Sequence, residues 1–215
     1  MIDTTFLISA FVTLLVIIDP FGLTPVFVAL THGMSARARR AIAIRACAVA
    51  AGLLTLFAAF GETVLGFVGI SMAAFRIAGG VLLFLTAMDM LFERRTKRRE
   101  GQAKDEAKDE AGDEDERPDP SVFPLAIPLV AGPGSIASVI LLSGQQPGLE
   151  GLAMVIGVML AVMCLVLAMF LVSGVLERLL GKTMINVVTR LLGMLLAALA
   201  VQFILDGLRE FGFAA

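Results

Sequence analysis

The chain has 215 residues, 58% hydrophobic and 17% charged, with a formal net charge of -2 and a mean hydropathy of +0.92. Much of the charge is crowded into residues 93–119, and what remains is too apolar to be one soluble domain, whose surface needs polar cover. A net charge this close to zero says little about partners and gives no reason to expect nucleic acid.

Six apolar segments follow in chain order, at residues 2–30, 41–67, 72–92, 122–142, 152–176 and 183–208. Each meets the length of about 20 residues needed to span hydrocarbon. The first begins Met1-Ile2-Asp3 without a basic flank, and no small-x-small site precedes Asp19, so it reads as a retained helix rather than a cleaved leader. It is broken late by Asp19-Pro20-Phe21-Gly22-Leu23-Thr24-Pro25. Thr24 followed by Pro25 is a good helix restart, a hydroxyl N-cap before a proline at the first helical position. The fourth segment carries similar punctuation, Gly132-Pro133-Gly134-Ser135, with Ser135 as the corresponding cap. Backbone groups freed by such breaks are tolerated in a bilayer only where protein or a water-filled cavity satisfies them. The pair therefore predicts a ligand site within the membrane.

Basic residues set the orientation, because they stay on the cytoplasmic side. Arg37, Arg39, Arg40 and Arg45 lie between segments one and two, Arg94, Arg95, Lys97, Arg98 and Arg99 follow segment three, and Arg178 and Lys182 separate segments five and six. The turns expected at residues 62–71 and 145–150 have no Lys or Arg. Both termini are thus expected on the non-cytoplasmic side. Residues 93–121, with RRTKRR followed by KDEAKDEAGDEDE, lack an apolar face and read as a solvated, disordered cytoplasmic linker between residues 1–92 and 122–215. Its basic start suits anionic lipid and its acidic part suits a partner, although a plain spacer is the simpler reading.

Repetition adds a fold. Arg76-Ile77-Ala78-Gly79 recurs as Arg190-Leu191-Leu192-Gly193, 114 positions on, and Pro20 recurs as Pro133, 113 positions on. Three spans per half is an odd number, so a duplicated half must be inverted, as in alternating-access transporters. The expected fold is all-α, a polytopic membrane protein of six transmembrane helices in two inverted three-helix repeats with broken helices one and four. Each restart would present the positive end of a helix dipole, suited to a carboxylate or another anion, and Gly22, Gly132 and Gly134 would let a ligand approach the backbone.

DPFGLTPVFVALT in the first half and IPLVAGPGSIASVI in the second resemble the MarC family of bacterial inner-membrane proteins. The likeness covers all six spans, with the family's variable charged loop between them, here long and acidic. It implies a multi-pass inner-membrane transporter of a small neutral amino acid, glycine or alanine in kind, within the LysE-type superfamily.

The expected substrate-binding residues are Asp19, Pro20, Gly22, Thr24, Gly132, Pro133, Gly134, Ser135, Arg76 and Arg190. Ionisable groups in spans are costly and usually face a cavity or a partner. Arg76 and Arg190 would clamp a carboxylate or gate, with snorkelling to the interface as the alternative. Asp89, Asp206 and Gln202 are coupling or gating candidates, the two carboxylates pairing with those arginines or carrying a proton. Asp19 would bind a substrate ammonium or accept N–H groups within a turn. The partners are then a small solute, a coupling proton or sodium ion and lipid, with a homo-oligomer left open. Cys47 and Cys164 lack C-x-x-C spacing, His32 is the sole histidine, and no nucleotide loop is present. No metal, cofactor or enzymatic activity is expected. Two other readings stay open: transport of an inorganic ion or other small anion, and a non-transporting scaffold acting through the linker.

Overall fold

The structure is a computed structural model that describes residues 4–92, 94, 119–146 and 148–212, with backbone alone within 175–182. Most of the charged linker therefore lies outside the described residues. Every regular element among the described residues is helical. In chain order α1 spans Thr4–Ile18, α2 Pro20–Leu30, α3 Ala36–Val68 and α4 Met72–Leu91. A proline-bearing segment, Ser121–Val130, then leads into α5 Pro133–Gln145, α6 Leu149–Leu171 and α7 Ser173–Glu210. The stretch Thr4–Leu30, α3, α4, α6 and Thr183–Glu210 are each long and apolar enough to cross a membrane, and the proline segment with α5, bent by 57° at their junction, is the sixth candidate.

Local chemistry sets the ends. Ser35 caps α3 by accepting from Ala38 N at 3.2 Å, and Ser71 caps α4 from Ala74 N at 3.2 Å, each relieving an orphan donor of a first turn. Gly69, at φ 81°, ends α3 with the Ile70 N–H on the Leu65 carbonyl at 2.9 Å, a left-handed closure that favours glycine. The turn without Lys or Arg expected at 62–71 is consequently short, since α3 runs on to Val68.

Two further expectations are corrected. The basic loop between segments five and six is helical backbone, for α6 ends at Leu171 and α7 runs from Ser173 without interruption. Polar residues there extend a helix beyond its apolar stretch. Segment four is disrupted well before Gly132. Phe123 and Ile127 hold extended φ/ψ, as residues preceding proline prefer, and both peptide bonds into Pro124 and Pro128 are cis.

The helices form three layers. One cluster of buried side chains joins α1, α2, α3, the proline segment, α5 and α6, including Leu14, Ile18, Leu54, Val139 and Val162. A second joins α1, α4, α5 and α7 through Val16, Ile17, Leu83, Leu141 and Ala200. The broken helices lie between the two sets, so α1 is apolar all round, as a helix buried on several sides must be. Outward-facing residues such as Phe60, Phe84, Leu160 and Leu191 are exposed, where lipid rather than water suits them.

The outer pair α4 and α7 packs closely and antiparallel. A Cβ at Gly80 would meet Ala200 O at 2.8 Å and Ile204 N at 3.1 Å, while one at Gly193 would meet Ala87 O at 3.3 Å and Leu91 N at 3.4 Å. Gly207 faces Ala73 O in the same way, at 2.9 Å. Small residues at these crossings let the two backbones approach.

Candidate functional site

The first restart is set by Asp19 and Pro20. Asp19 adopts φ 57° and ψ 68°, and its Oδ1 accepts from the Gly22 N–H at 3.0 Å. Proline at the first helical position gives up no intrahelical bond. The left-handed backbone at Asp19 turns the chain, and a short carboxylate tolerates that conformation better than most side chains. A Cβ at Gly22 would collide with Asp19 Oδ2. That glycine is required by the cap itself rather than by a ligand.

The expected cap at Thr24 is therefore corrected. Thr24 lies inside α2, fully buried, and its Oγ1 donates to the Pro20 carbonyl at 2.8 Å. Pro25 also falls inside α2, where it has no N–H to return to the preceding turn.

The second restart has a different chemistry. Gly132 precedes α5 with no side-chain cap and Pro133 occupies the first helical position. Ser135 is not the cap expected there, because its Oγ donates to Val130 O at 2.8 Å. A Cβ at Gly132 would lie 2.6 Å from Pro128 O, so the chain's own carbonyl fills the space beside this glycine. Pro133 is exposed whereas Pro20 is buried. Thus one restart is closed over an internal carboxylate, and the other keeps uncapped N–H groups and an accessible first turn.

The two restarts are neighbours. A Cβ at Gly134 would lie 3.5 Å from Ile17 Cγ2, 3.4 Å from Leu83 Cδ2 and 3.9 Å from Thr86 Oγ1, and Ile17 stands two residues before Asp19. Thr86, which donates to Leu82 O at 2.9 Å, and Ser138, which donates to Gly134 O at 2.8 Å, are polar groups here that sequence reading missed. Both resemble the ordinary back-bonding hydroxyls of helices, and only tertiary packing brings them to the junction.

The other expected site residues lie elsewhere. Arg76 Nη1 pairs with Glu210 Oε2 at 3.0 Å, and Arg76 stands seven residues before Leu83, about 10 Å along α4. Its Nε is buried without a partner among the described residues. Arg190 stands near the Gly193 crossing and Arg76 near the Gly207 crossing, which are about 21 Å apart along α7. The two arginines are not brought together. Asp206 Oδ1 accepts from Gln202 Nε2 at 2.8 Å and lies 4.0 Å from Arg209 Nη1, a ladder along one face of α7. Asp206 thus partners Gln202 and Arg209, and Arg76 takes Glu210. Asp89 and Arg190 are each engaged by neighbouring groups. Among the described residues no cluster of His, Cys, Asp and Glu is suited to a metal ion.

A multi-span helical bundle with two adjoining discontinuous helices at its centre defines a polytopic integral membrane protein. Residues 4–211 match the description MarC family integral membrane protein. The chain is 36% identical over 203 residues to the UPF0056 inner membrane protein YhgN of Escherichia coli K12, covering 94% of this chain and 96% of that protein. It is also 36% identical over 205 residues to the UPF0056 membrane protein YvbG of Bacillus subtilis, covering 95% of each. A UPF0056 membrane protein of Aquifex aeolicus is similar at 36% over 203 residues, with 94% and 92% covered. No solved structure matches the chain. The chain belongs to the MarC family of integral membrane proteins.

Proposed function

We propose that the protein is a secondary transporter that moves a small neutral amino acid across the bacterial inner membrane by alternating access. The observation that carries this reading is the asymmetry of the adjoining restarts. A neutral amino acid is a zwitterion and needs one site of each sign. The uncapped start of α5 favours a carboxylate through its N–H groups and dipole, and the Asp19 carboxylate, buried in this conformation, would favour an ammonium in the one that opens its restart. Ile17, Leu83 and Thr86 stand at van der Waals distance from a Cβ at Gly134, which favours a small side chain over a large one.

Alternating access requires halves that exchange roles, and one offset supports an inverted duplication. Pro20 and Pro133 open α2 and α5, Ala36 and Leu149 open α3 and α6, and Gly80 and Gly193 face Ala200 and Ala87 across the α4–α7 crossing. Every pair is separated by 113 positions, with Ile204 and Leu91 following the same rule. Under that offset the counterpart of Arg76 is Thr189, so the recurring Arg-x-x-Gly element at 114 is out of step with the packing. Buried Pro20 and exposed Pro133 then represent closed and open versions of one element.

Proteoliposomes with labelled glycine or alanine, under imposed proton and sodium gradients, test the proposal. Protein-dependent flux is expected, and flux of an inorganic anion with none of amino acid would favour the other transporter reading. Pro133→Ala with Gly134→Leu is expected to lower the rate roughly tenfold or more, since overpacking costs about 1–3 kcal/mol. Wild-type flux in that variant would remove the junction from the transport path. Deleting residues 102–116 is expected to leave flux unchanged, whereas a scaffold acting through its linker would lose function.

A further inference from the structure

A cavity lies where α3 and α7 begin, and none of its lining residues belongs to the restart junction. It measures about 520 Å³ and is lined by Arg39 and Arg40 together with a largely apolar wall of Phe170, Leu171, Val172 and Gly174. Among the described residues that line it, Arg39 and Arg40 are the only charged ones.

Each wall is built by a specific contact. Arg39 Nη2 donates to the buried Ser173 Oγ at 3.0 Å, which ties the first turns of α3 and α7 together. The Arg39 guanidinium also stands 5.8 Å from the centroid of the Phe27 ring. Phe27 stacks on Phe170 with centroids 4.5 Å apart and planes 6° from parallel, which links the cavity wall to α2. Arg40 is exposed and forms no hydrogen bond or ion pair with a described residue. The start of α7 has no side-chain cap, although the C-terminus of α6 meets it at Val172, so the positive charge of the cavity comes from the two guanidinium groups.

We propose that this cavity binds a phosphate-bearing anion, either the phosphodiester of an anionic lipid headgroup or free phosphate, held between Arg39, Arg40 and the first turn of α7. Guanidinium groups match tetrahedral oxyanions through paired N–H donors. A location at the ends of membrane-crossing helices is where lipid phosphates lie, and the volume also admits a free ion with its water. Phe170 lines the cavity and stacks on Phe27, so an occupant would brace the far end of the helix that starts at Asp19 through that pair. This inference does not depend on the transport reading.

The test uses the full-length protein, once in detergent titrated with inorganic phosphate and once in nanodiscs of phosphatidylcholine with or without phosphatidylglycerol. A ligand that binds the folded state raises the unfolding temperature with concentration. A rise is expected in at least one arm: phosphate alone identifies a soluble anion, and phosphatidylglycerol alone identifies lipid. Arg40→Gln is expected to weaken the effective ligand about fivefold, and Arg39→Gln with Arg40→Gln about thirtyfold, as loss of one and two surface cations predicts. Arg37→Gln, which does not line the cavity, is expected to behave as wild type. If the double variant fails to fold, Arg40→Gln decides, because that side chain is exposed and forms no hydrogen bond or ion pair with a described residue. No rise in either arm, or an equal rise in wild type and Arg40→Gln, overturns the proposal.

Discussion

Gly80→Ala is expected to destabilise the protein by about 1–3 kcal/mol, the range for overpacking a filled contact. The added methyl would stand 2.7 Å from Ile204 Cγ1 and 2.8 Å from the Ala200 carbonyl oxygen. The Ile204 side chain can rotate, but the carbonyl belongs to a helix backbone and yields only if α4 and α7 separate. Gly52→Ala is the matched control, because nothing lies within 4 Å of a Cβ there. Relief of the glycine penalty in a helix should raise stability by up to about 1 kcal/mol. Thermal unfolding in detergent should place the two variants on opposite sides of wild type, with Gly80→Ala lower by about 5 °C or more. Equal midpoints for Gly80→Ala and wild type would show that the two outer helices do not approach this closely. Gly193→Ala should fall on the same side as Gly80→Ala by a smaller margin, since its nearest atom is Met90 Cβ at 3.0 Å.

The punctuation of the broken helices was legible in the residues, because proline and glycine act on the backbone whatever surrounds them. Which residue would cap each restart was not. Thr24-Pro25 and Asp19-Pro20 are equally good local signals, and the choice fell to Asp19, whose carboxylate meets Gly22 N once the chain has turned. Thr24 and Ser135 then spend their hydroxyls on carbonyls inside the buried core, a demand set by burial and invisible in composition. Segment four misled for a related reason. Its apolar content fits a span, but Pro120, Pro124 and Pro128 recur every four residues, and each removes a donor from the regular helical ladder.

Charged residues were the least legible. Arg76 is joined to Glu210, 134 positions away, and no local rule pairs residues so distant. The Gln202–Asp206 bond, by contrast, follows from i,i+4 spacing on a helix, a periodicity that could have replaced the expected arginine partner. Basic residues at 178 and 182 read as a loop because polarity marks segment ends, yet helix propensity let α7 continue through them.

Asp19→Asn is expected to keep the fold and lose transport. Asparagine caps helices about as well as aspartate and also tolerates left-handed backbone, so its side-chain oxygen can still accept from Gly22 N. Stability should therefore stay within about 1 kcal/mol of wild type. What the substitution removes is the charge, and with it a contact to the substrate ammonium of about 1.5–3 kcal/mol. That corresponds to roughly a ten- to hundredfold weaker apparent affinity for glycine or alanine in proteoliposomes. Asp19→Ala should fail in both respects, losing about 0.5–2 kcal/mol for the cap and about 1–2 kcal/mol for alanine at positive φ. The paired measurement separates two roles that a single variant would confound. If Asp19→Asn transports at the wild-type rate, the carboxylate serves only to turn the chain at the restart, and the ammonium must be held by backbone carbonyls. If it folds normally and transport falls, the same atoms that start α2 also read the charge of the solute, which explains why an acid stands at a buried position where an asparagine would cap as well.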